Sequence, residues 1–270
     1  MKRLLAALSF FTRMPFWKLA DLNKSHYQNL VTFWPLAGWL TGGTMMIVFA
    51  LSVLLLPISI AIILAFLSRV FLTGALHEDG FADFFDGFGG GKDRESILSI
   101  MKDSHNGTYG QLSLVLYFLL LYNVVESYIM IQQTTFTNGC FAVGTADFIS
   151  MLKLATIFIS ADSFAKWTAS NVINILPYAR SEQQAKNKLL YNKMTLAERI
   201  FSFICGILPS ILFLPFKNFI VPMLASSIVT MLLIFFFYKK INGYTGDCCG
   251  ALFIISELTF YISSLILIYN

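Results

Sequence analysis

Seven long apolar runs, 30–56, 58–76, 109–131, 141–175, 196–216, 219–238 and 248–269, alternate with short polar stretches along the 270-residue chain. A helix needs about 20 apolar residues to cross a bilayer core. Pro57, Pro177, Pro215 and Pro222 fall at or near the ends of these runs, where proline punctuates helices. The pattern predicts an all-α, polytopic integral membrane bundle of about seven transmembrane helices, forming a single membrane-embedded domain over 1–270. The run 141–175 is too long for one straight span, so it is expected to be tilted or broken. The N-terminal run is short and interrupted by Arg13, Pro15 and Lys18. Segment 1–28 is therefore read as a retained interfacial segment rather than a cleaved leader. Segments 78–108 and 177–195 are read as polar loops.

Composition narrows the class. The chain is 57% hydrophobic and 13% charged, with a mean hydropathy of +0.70, against about 25% charged residues in an average soluble protein. This excludes a water-soluble globule and a disordered chain. A formal charge of +4 is too weak to point to nucleic acid. The four cysteines (Cys140, Cys205, Cys248, Cys249) lack CxxC spacing and read as small apolar residues. The cations set an orientation. With the N-terminus in the cytoplasm, 15 Lys and Arg fall on cytoplasmic segments and only Lys217 outside, while Arg69, Lys153 and Lys166 lie within runs. The acidic 78–108 loop and the segment around Asp247 then share the cytoplasmic face.

Seven of the 15 acids (Glu78, Asp79, Asp83, Asp86, Asp93, Glu95, Asp103) crowd into 26 residues. Asp79, Asp83 and Asp86 are spaced i, i+4, i+7, which puts them on one face of a helix. Like charges there repel, and desolvation near lipid raises the cost. A hard divalent cation, Mg²⁺ or Mn²⁺, is the natural counter-charge for carboxylate oxygens. Gly87-Phe-Gly-Gly-Gly91 is either a backbone cradle for phosphate or a hinge. Lys102 and the helix expected to begin at Thr108 form a candidate anion site. Among acids inside apolar runs, Asp162 and Lys166 are spaced to pair. Glu126 and Glu257 are read as interfacial or neutral, and His26 as an interface residue.

Three acidic motifs resemble those of the cobalamin synthase family, the adenosylcobinamide-GDP ribazoletransferases. They are Thr73-Gly-Ala-Leu-His77-Glu-Asp79-Gly80-Phe-Ala-Asp83-Phe-Phe-Asp86-Gly87, Ile100-Met-Lys-Asp103-Ser104-His-Asn-Gly107-Thr108-Tyr-Gly110, and Thr245-Gly246-Asp247-Cys-Cys-Gly250-Ala251. The openings Leu8–Pro15 and Phe33–Gly38 are also similar, and the motifs run in the family's order along nearly the whole chain. Ala75 stands where the family pattern has a second glycine, and His105 where it often has arginine.

The resemblance implies a Mg²⁺-dependent transferase of the bacterial inner membrane, with its active site facing the cytoplasm. It would join α-ribazole, or its 5′-phosphate, to adenosylcobinamide-GDP and release GMP. Asp79, Asp83, Asp86 and Asp247 would hold Mg²⁺. Asp103 or His77 would serve as general base. Lys102, Ser104, Thr108, Gly80, Gly87 and Thr245 would bind substrate. Phe81, Phe84, Phe85 and Phe88 form a wall for the corrin or simply pack. Glu78, Asp93 and Glu95 read as ordinary loop charge. Two alternatives stand beside this one: a CDP-alcohol phosphotransferase-like enzyme, which Asp79-Gly-Phe-Ala-Asp83 echoes, and an ion-coupled transporter.

Overall fold

The computed structural model describes residues 1–103, 105–137, 145–180 and 190–269, without the side chains of 133–137 and 145–150. Its helices are α1 Lys2–Phe11, α2 Lys24–Gln28, α3 Trp34–Ser52, α4 Ile58–Thr73, α5 Leu76–Gly90 and α6 Arg94–Lys102. They continue as α7 Thr108–Thr137, α8 Thr145–Ser170, α9 Val172–Ile175, α10 Leu196–Phe213, α11 Phe216–Ile241 and α12 Gly246–Tyr269. Short 3-10 turns join α1 to α2 and α2 to α3. Among the described residues the only strand-like pairing is an isolated bridge between Tyr178 and Tyr244. The all-α expectation holds.

The bundle is built around α8 and α12. Helix α8 packs against α3, α10 and α12, and α12 also against α5, α7 and α11. The outer helices are apolar toward the outside: Leu112, Val115, Leu116 and Leu119 of α7, and Leu224, Ile228, Leu232 and Phe235 of α11, are all exposed. Polar side chains turn inward instead, as they do in lipid.

Five helical segments among the described residues are long and apolar enough to cross a membrane, or six if α4 and α5 together make one bent span. The expected count of seven is not confirmed on length and composition, for two reasons. Helix α4 has only 16 residues, and the chain then turns by 89° into α5. Helix α8 has 26 residues but carries Lys153, Asp162 and Lys166. Its buried polar groups face other helices, so its burial rests on partners rather than on hydropathy. The run 141–175 does break, between Ser170 and Val172. Pro222 lies inside α11 rather than at an end.

The 78–108 segment is also not a loop. Four of its seven acids lie on α5, and α6 follows after a short link, with Asp93 accepting the Ser96 amide in a capping box. The apolar residues between the acids explain this. Phe81, Ala82 and Phe84 are buried, so the stretch is amphipathic although its charge density suggests solvent. Gly74 (φ 68°) and Ala75 (φ 59°) make the turn from α4 to α5. The backbone N–H of Arg13 donates to the Leu72 carbonyl at 2.7 Å, which ties the N-terminal segment to that turn. Helix α1 buries Ala6, Ala7 and Phe11 against the bundle.

Candidate functional site

Helices α5 and α12 cross at two glycines. A Cβ on Gly250 would lie 2.9 Å from the His77 carbonyl oxygen, and one on Gly80 3.2 Å from the Asp247 Cα. The close approach that these glycines permit is therefore of backbone to backbone. It brings the first turn of α5 beside the first turn of α12. A cavity of about 160 Å³ opens there, and Asp79, Gly80, Asp247 and Gly250 all line it. Asp79 is exposed and Asp247 nearly buried. Thr245 caps α12: its hydroxyl accepts the Cys248 amide and donates to Asp247 Oδ2, both at 3.3 Å. It is fully buried and orients Asp247 rather than facing the cavity.

The segment after α9 completes the wall. The Ala179 N–H donates to the Tyr244 carbonyl at 2.8 Å, and the Tyr244 N–H to the Pro177 carbonyl at 3.0 Å. This bridge pins Tyr178 and Arg180 next to the start of α12, where both line the cavity. Arg180 Nη1 lies 3.9 Å from Asp247 Oδ2, while its Nη2 donates to the Leu98 carbonyl at 2.7 Å. Burial, with the negative Asp247 beside it, pushes the Tyr178 phenol up to about 12, so it stays a donor at neutral pH. Residues 181–189 of the expected 177–195 loop lie outside the described residues. Tyr178 and Arg180 had no signal in the sequence beyond their place in a polar stretch between two spans.

Of the other expected site residues that are described, only His77 also lines the cavity. Asp83, one turn beyond Asp79 on α5, is nearly buried. Asp86 reaches the start of α7, where the Gly107 and Gly110 amides donate to its two oxygens at 2.7 and 2.8 Å. The anion expected at this helix N-terminus is thus the chain's own Asp86. A Cβ at either glycine would collide with that carboxylate, which accounts for the Gly107-Thr-Tyr-Gly110 spacing. Gly87 packs on α6, where a Cβ would stand 2.5 Å from Met101 Cγ. Gly87–Gly90 are helical and only Gly91 ends α5, so the glycine run is neither cradle nor free hinge. Lys102, Asp103 and Thr108 are exposed on the α6–α7 side and do not line the cavity. Asp103 Oδ1 lies 2.6 Å from His105 Nδ1. Ser104 lies outside the described residues.

Behind the cavity lies a set of buried charges. Arg69 Nη1 donates to both Glu257 oxygens at 2.5 and 2.6 Å, and Nη2 to the Tyr117 hydroxyl at 2.8 Å. Glu78 sits 3.4 Å from the same guanidinium. Glu78 is therefore not a loop charge, and Glu257 is not interfacial; Arg69 and Glu257 are both fully buried. Asp162 and Lys166 pair as their spacing predicts, with Lys166 donating to the Thr41 hydroxyl at 2.7 Å. Both cations lie over the Phe253 ring, with Lys166 Nζ 4.5 Å and Arg69 Cζ 5.5 Å from its centroid. Glu126 accepts from Tyr122 at 2.7 Å, and His26 closes a capping box with Asn23. The Asp147 side chain and Cys140 lie outside the description.

Among the described residues no three His, Cys, Asp or Glu side chains gather as a metal cage. Mg²⁺ rarely needs one. It is usually held by one or two carboxylates, with waters and substrate phosphates filling the octahedron. Asp79 and Asp247, two hard oxygen donors lining one cavity, fit that mode. Asp83 and Asp86 do not line that cavity.

A family model for cobalamin-5-phosphate synthase (CobS) matches residues 3–265. An adenosylcobinamide-GDP ribazoletransferase of Leptospira interrogans is 34% identical over 266 residues, covering 96% of this chain and 93% of the relative. Its counterpart in Shewanella frigidimarina is 35% identical over 258 residues, covering 95% and 91%. That of Leptospira biflexa is 32% identical over 257 residues, covering 95% and 92%. No solved structure matches the chain.

Proposed function

We propose that this chain, which belongs to the cobalamin-5-phosphate synthase family, is an adenosylcobinamide-GDP ribazoletransferase working at the α5–α12 crossing. It joins α-ribazole, or its 5′-phosphate, to adenosylcobinamide-GDP and releases GMP. The observation that carries the location is the convergence of Asp79, Asp247, Arg180 and Tyr178 on one cavity.

The reaction is displacement at a phosphorus of a pyrophosphate diester. The ribazole hydroxyl oxygen forms the new P–O bond, the bond to GMP breaks, and the hydroxyl proton leaves to a base. Catalysis of this type rests on positioning and on neutralising charge over the phosphoryl oxygens. Arg180, always cationic, offers a planar fork suited to phosphate oxygens. At 3.9 Å from Asp247 it is close enough to be oriented and loose enough to exchange partners. Tyr178 offers a neutral O–H beside it. Asp79 and Asp247 are the residues that would hold Mg²⁺, which would supply further neutralisation of the pyrophosphate charge. The Thr245 cap and the Gly80–Gly250 contact keep the two carboxylates in register. The Lys and Arg asymmetry supports a cytoplasmic side for this end of the bundle.

The test is direct. Detergent-purified protein with adenosylcobinamide-GDP, α-ribazole and Mg²⁺ is expected to form GMP and a cobalamin in equal amounts, and to stop when the metal is chelated. Absence of both products with a folded protein would sink this reading. Undiminished turnover in chelator would remove Mg²⁺ from it.

A further inference from the structure

One guanidinium outside the cavity engages the strap, residues 177–180, that carries Tyr178 and Arg180. Arg94 is the first residue of α6 and does not line the cavity. Its Nη2 donates to the Ala179 carbonyl at 2.6 Å and its Nε to the Ile241 carbonyl at 2.9 Å. Ile241 is the last residue of α11, where helix carbonyls lack intrahelical partners and favour a cation. Arg180 completes an exchange, because its Nη2 donates to the carbonyl of Leu98 on α6 at 2.7 Å. Each guanidinium thus ends on the backbone of the other's segment. Helix α6 is itself seated on α5: Ile97 and Met101 are buried, and Met101 packs on Gly87. The helix that carries Asp79 and the strap that carries Arg180 are therefore linked through α6.

We propose that Arg94 is a positioning residue for the phosphate end of the site, acting through the Ala179 carbonyl to hold Arg180 beside Asp247. The proposal rests on the transferase reading above. A peptide unit is a rigid plane, and Ala179 belongs to two of them. The plane shared with Tyr178 is fixed by the Ala179 N–H, which donates to the Tyr244 carbonyl at 2.8 Å. The plane shared with Arg180 is fixed by the Ala179 carbonyl, which accepts from Arg94. Tyr178 is thus placed by the bridge to Tyr244, and the direction in which the Arg180 backbone leaves is set by Arg94. The Leu98 carbonyl then holds one end of the Arg180 fork, and Nη1, 3.9 Å from Asp247 Oδ2, is the end left to meet a phosphate oxygen. Arg94 suits this task because its planar fork reaches two carbonyls on two segments at once; a lysine has the charge without the fork. Misplacing a substrate-positioning group by about 1 Å costs up to about a hundredfold in rate.

A double-variant cycle on turnover of the detergent-purified protein tests this. Arg94→Ala should lower kcat/KM for adenosylcobinamide-GDP by about tenfold or more and leave the KM for α-ribazole unchanged. Arg180→Ala should lose about a hundredfold. Adding Arg94→Ala to it should cost less than about threefold more, since the side chain to be positioned is gone. Arg94→Lys should lose nearly as much as Arg94→Ala. Losses that multiply in the double variant would show a merely structural role and overturn the proposal. So would full activity in Arg94→Lys, or an Arg94→Ala enzyme indistinguishable from wild type, and each of these outcomes spares the transferase reading. A folded wild type that forms no product would overturn both. If Arg94→Ala does not fold, Arg94→Lys takes its place in the cycle.

Discussion

Arg69 is the residue on which the interior most depends. Moving a guanidinium out of water is costly unless its hydrogen bonds are made, and here Glu257, Tyr117 and Glu78 engage both of its Nη atoms. Removing one member of a buried pair strands the other, at about 3–5 kcal/mol. Arg69→Met is therefore expected to lower stability in detergent by about that amount, and Arg69→Met with Glu257→Leu to recover much of it, as read by thermal unfolding. Equal losses in the single and double variants would mean that the pair contributes little. This partnership was not legible in the sequence. The two residues are 188 apart, and each alone looks like a stray charge in an apolar run. Asp162 and Lys166 were legible because their spacing of four puts them on one helical face. Asp79, Asp83 and Asp86 were likewise legible as a face. The diversion of Asp86 to the Gly107 and Gly110 amides was not, because it depends on where α7 meets α5.

At the scale of elements, the crossing of α5 and α12 and the turn before α5 carry the geometry. Gly250→Ala would set a Cβ 2.9 Å from a backbone oxygen of the facing helix, which neither helix can absorb without moving. Overpacking of this kind costs about 1–3 kcal/mol. The variant should unfold at lower temperature and lose turnover by more than its stability loss explains, since Asp79 and Asp247 separate; retained turnover would show that their register is unimportant. Ala75 is the converse case. A left-handed φ of 59° strains an alanine by about 1–2 kcal/mol. Ala75→Gly regains this less about 0.4–1 kcal/mol of chain entropy, so melting of that variant should occur at equal or slightly higher temperature. The sequence did mark this turn, through Gly74 and Ala75 after an apolar run. It could not give the 89° bend, because charge density in 78–108 resembles a solvated loop and the burial of Phe81 and Phe84 is a tertiary fact. The strap of Tyr178 and Arg180 was hidden for a related reason: a two-residue bridge to Tyr244 leaves no periodic pattern.

For the molecule as a whole, hydropathy was a sound guide to class and a weaker guide to count. Helices that face lipid, such as α7 and α11, announce themselves by apolar length. Helix α8, enclosed by other helices, carries Asp162 and Lys166 and escapes a test of apolarity, although it sits at the centre of the bundle. The outcome is a shell that matches lipid and an interior that holds paired charges. Its cavity lies where the acidic motifs of two distant segments converge. The central claim is that turnover takes place between Asp79 and Asp247, and the most direct measurement is GMP release by Asp79→Asn and Asp247→Asn in detergent. Each variant should fold, bind α-ribazole as wild type does, and lose turnover by about a hundredfold or more, the scale set by removing one preorganised charge-stabilising group. Turnover within a few-fold of wild type in both variants would contradict the claim and move the reaction away from the α5–α12 crossing.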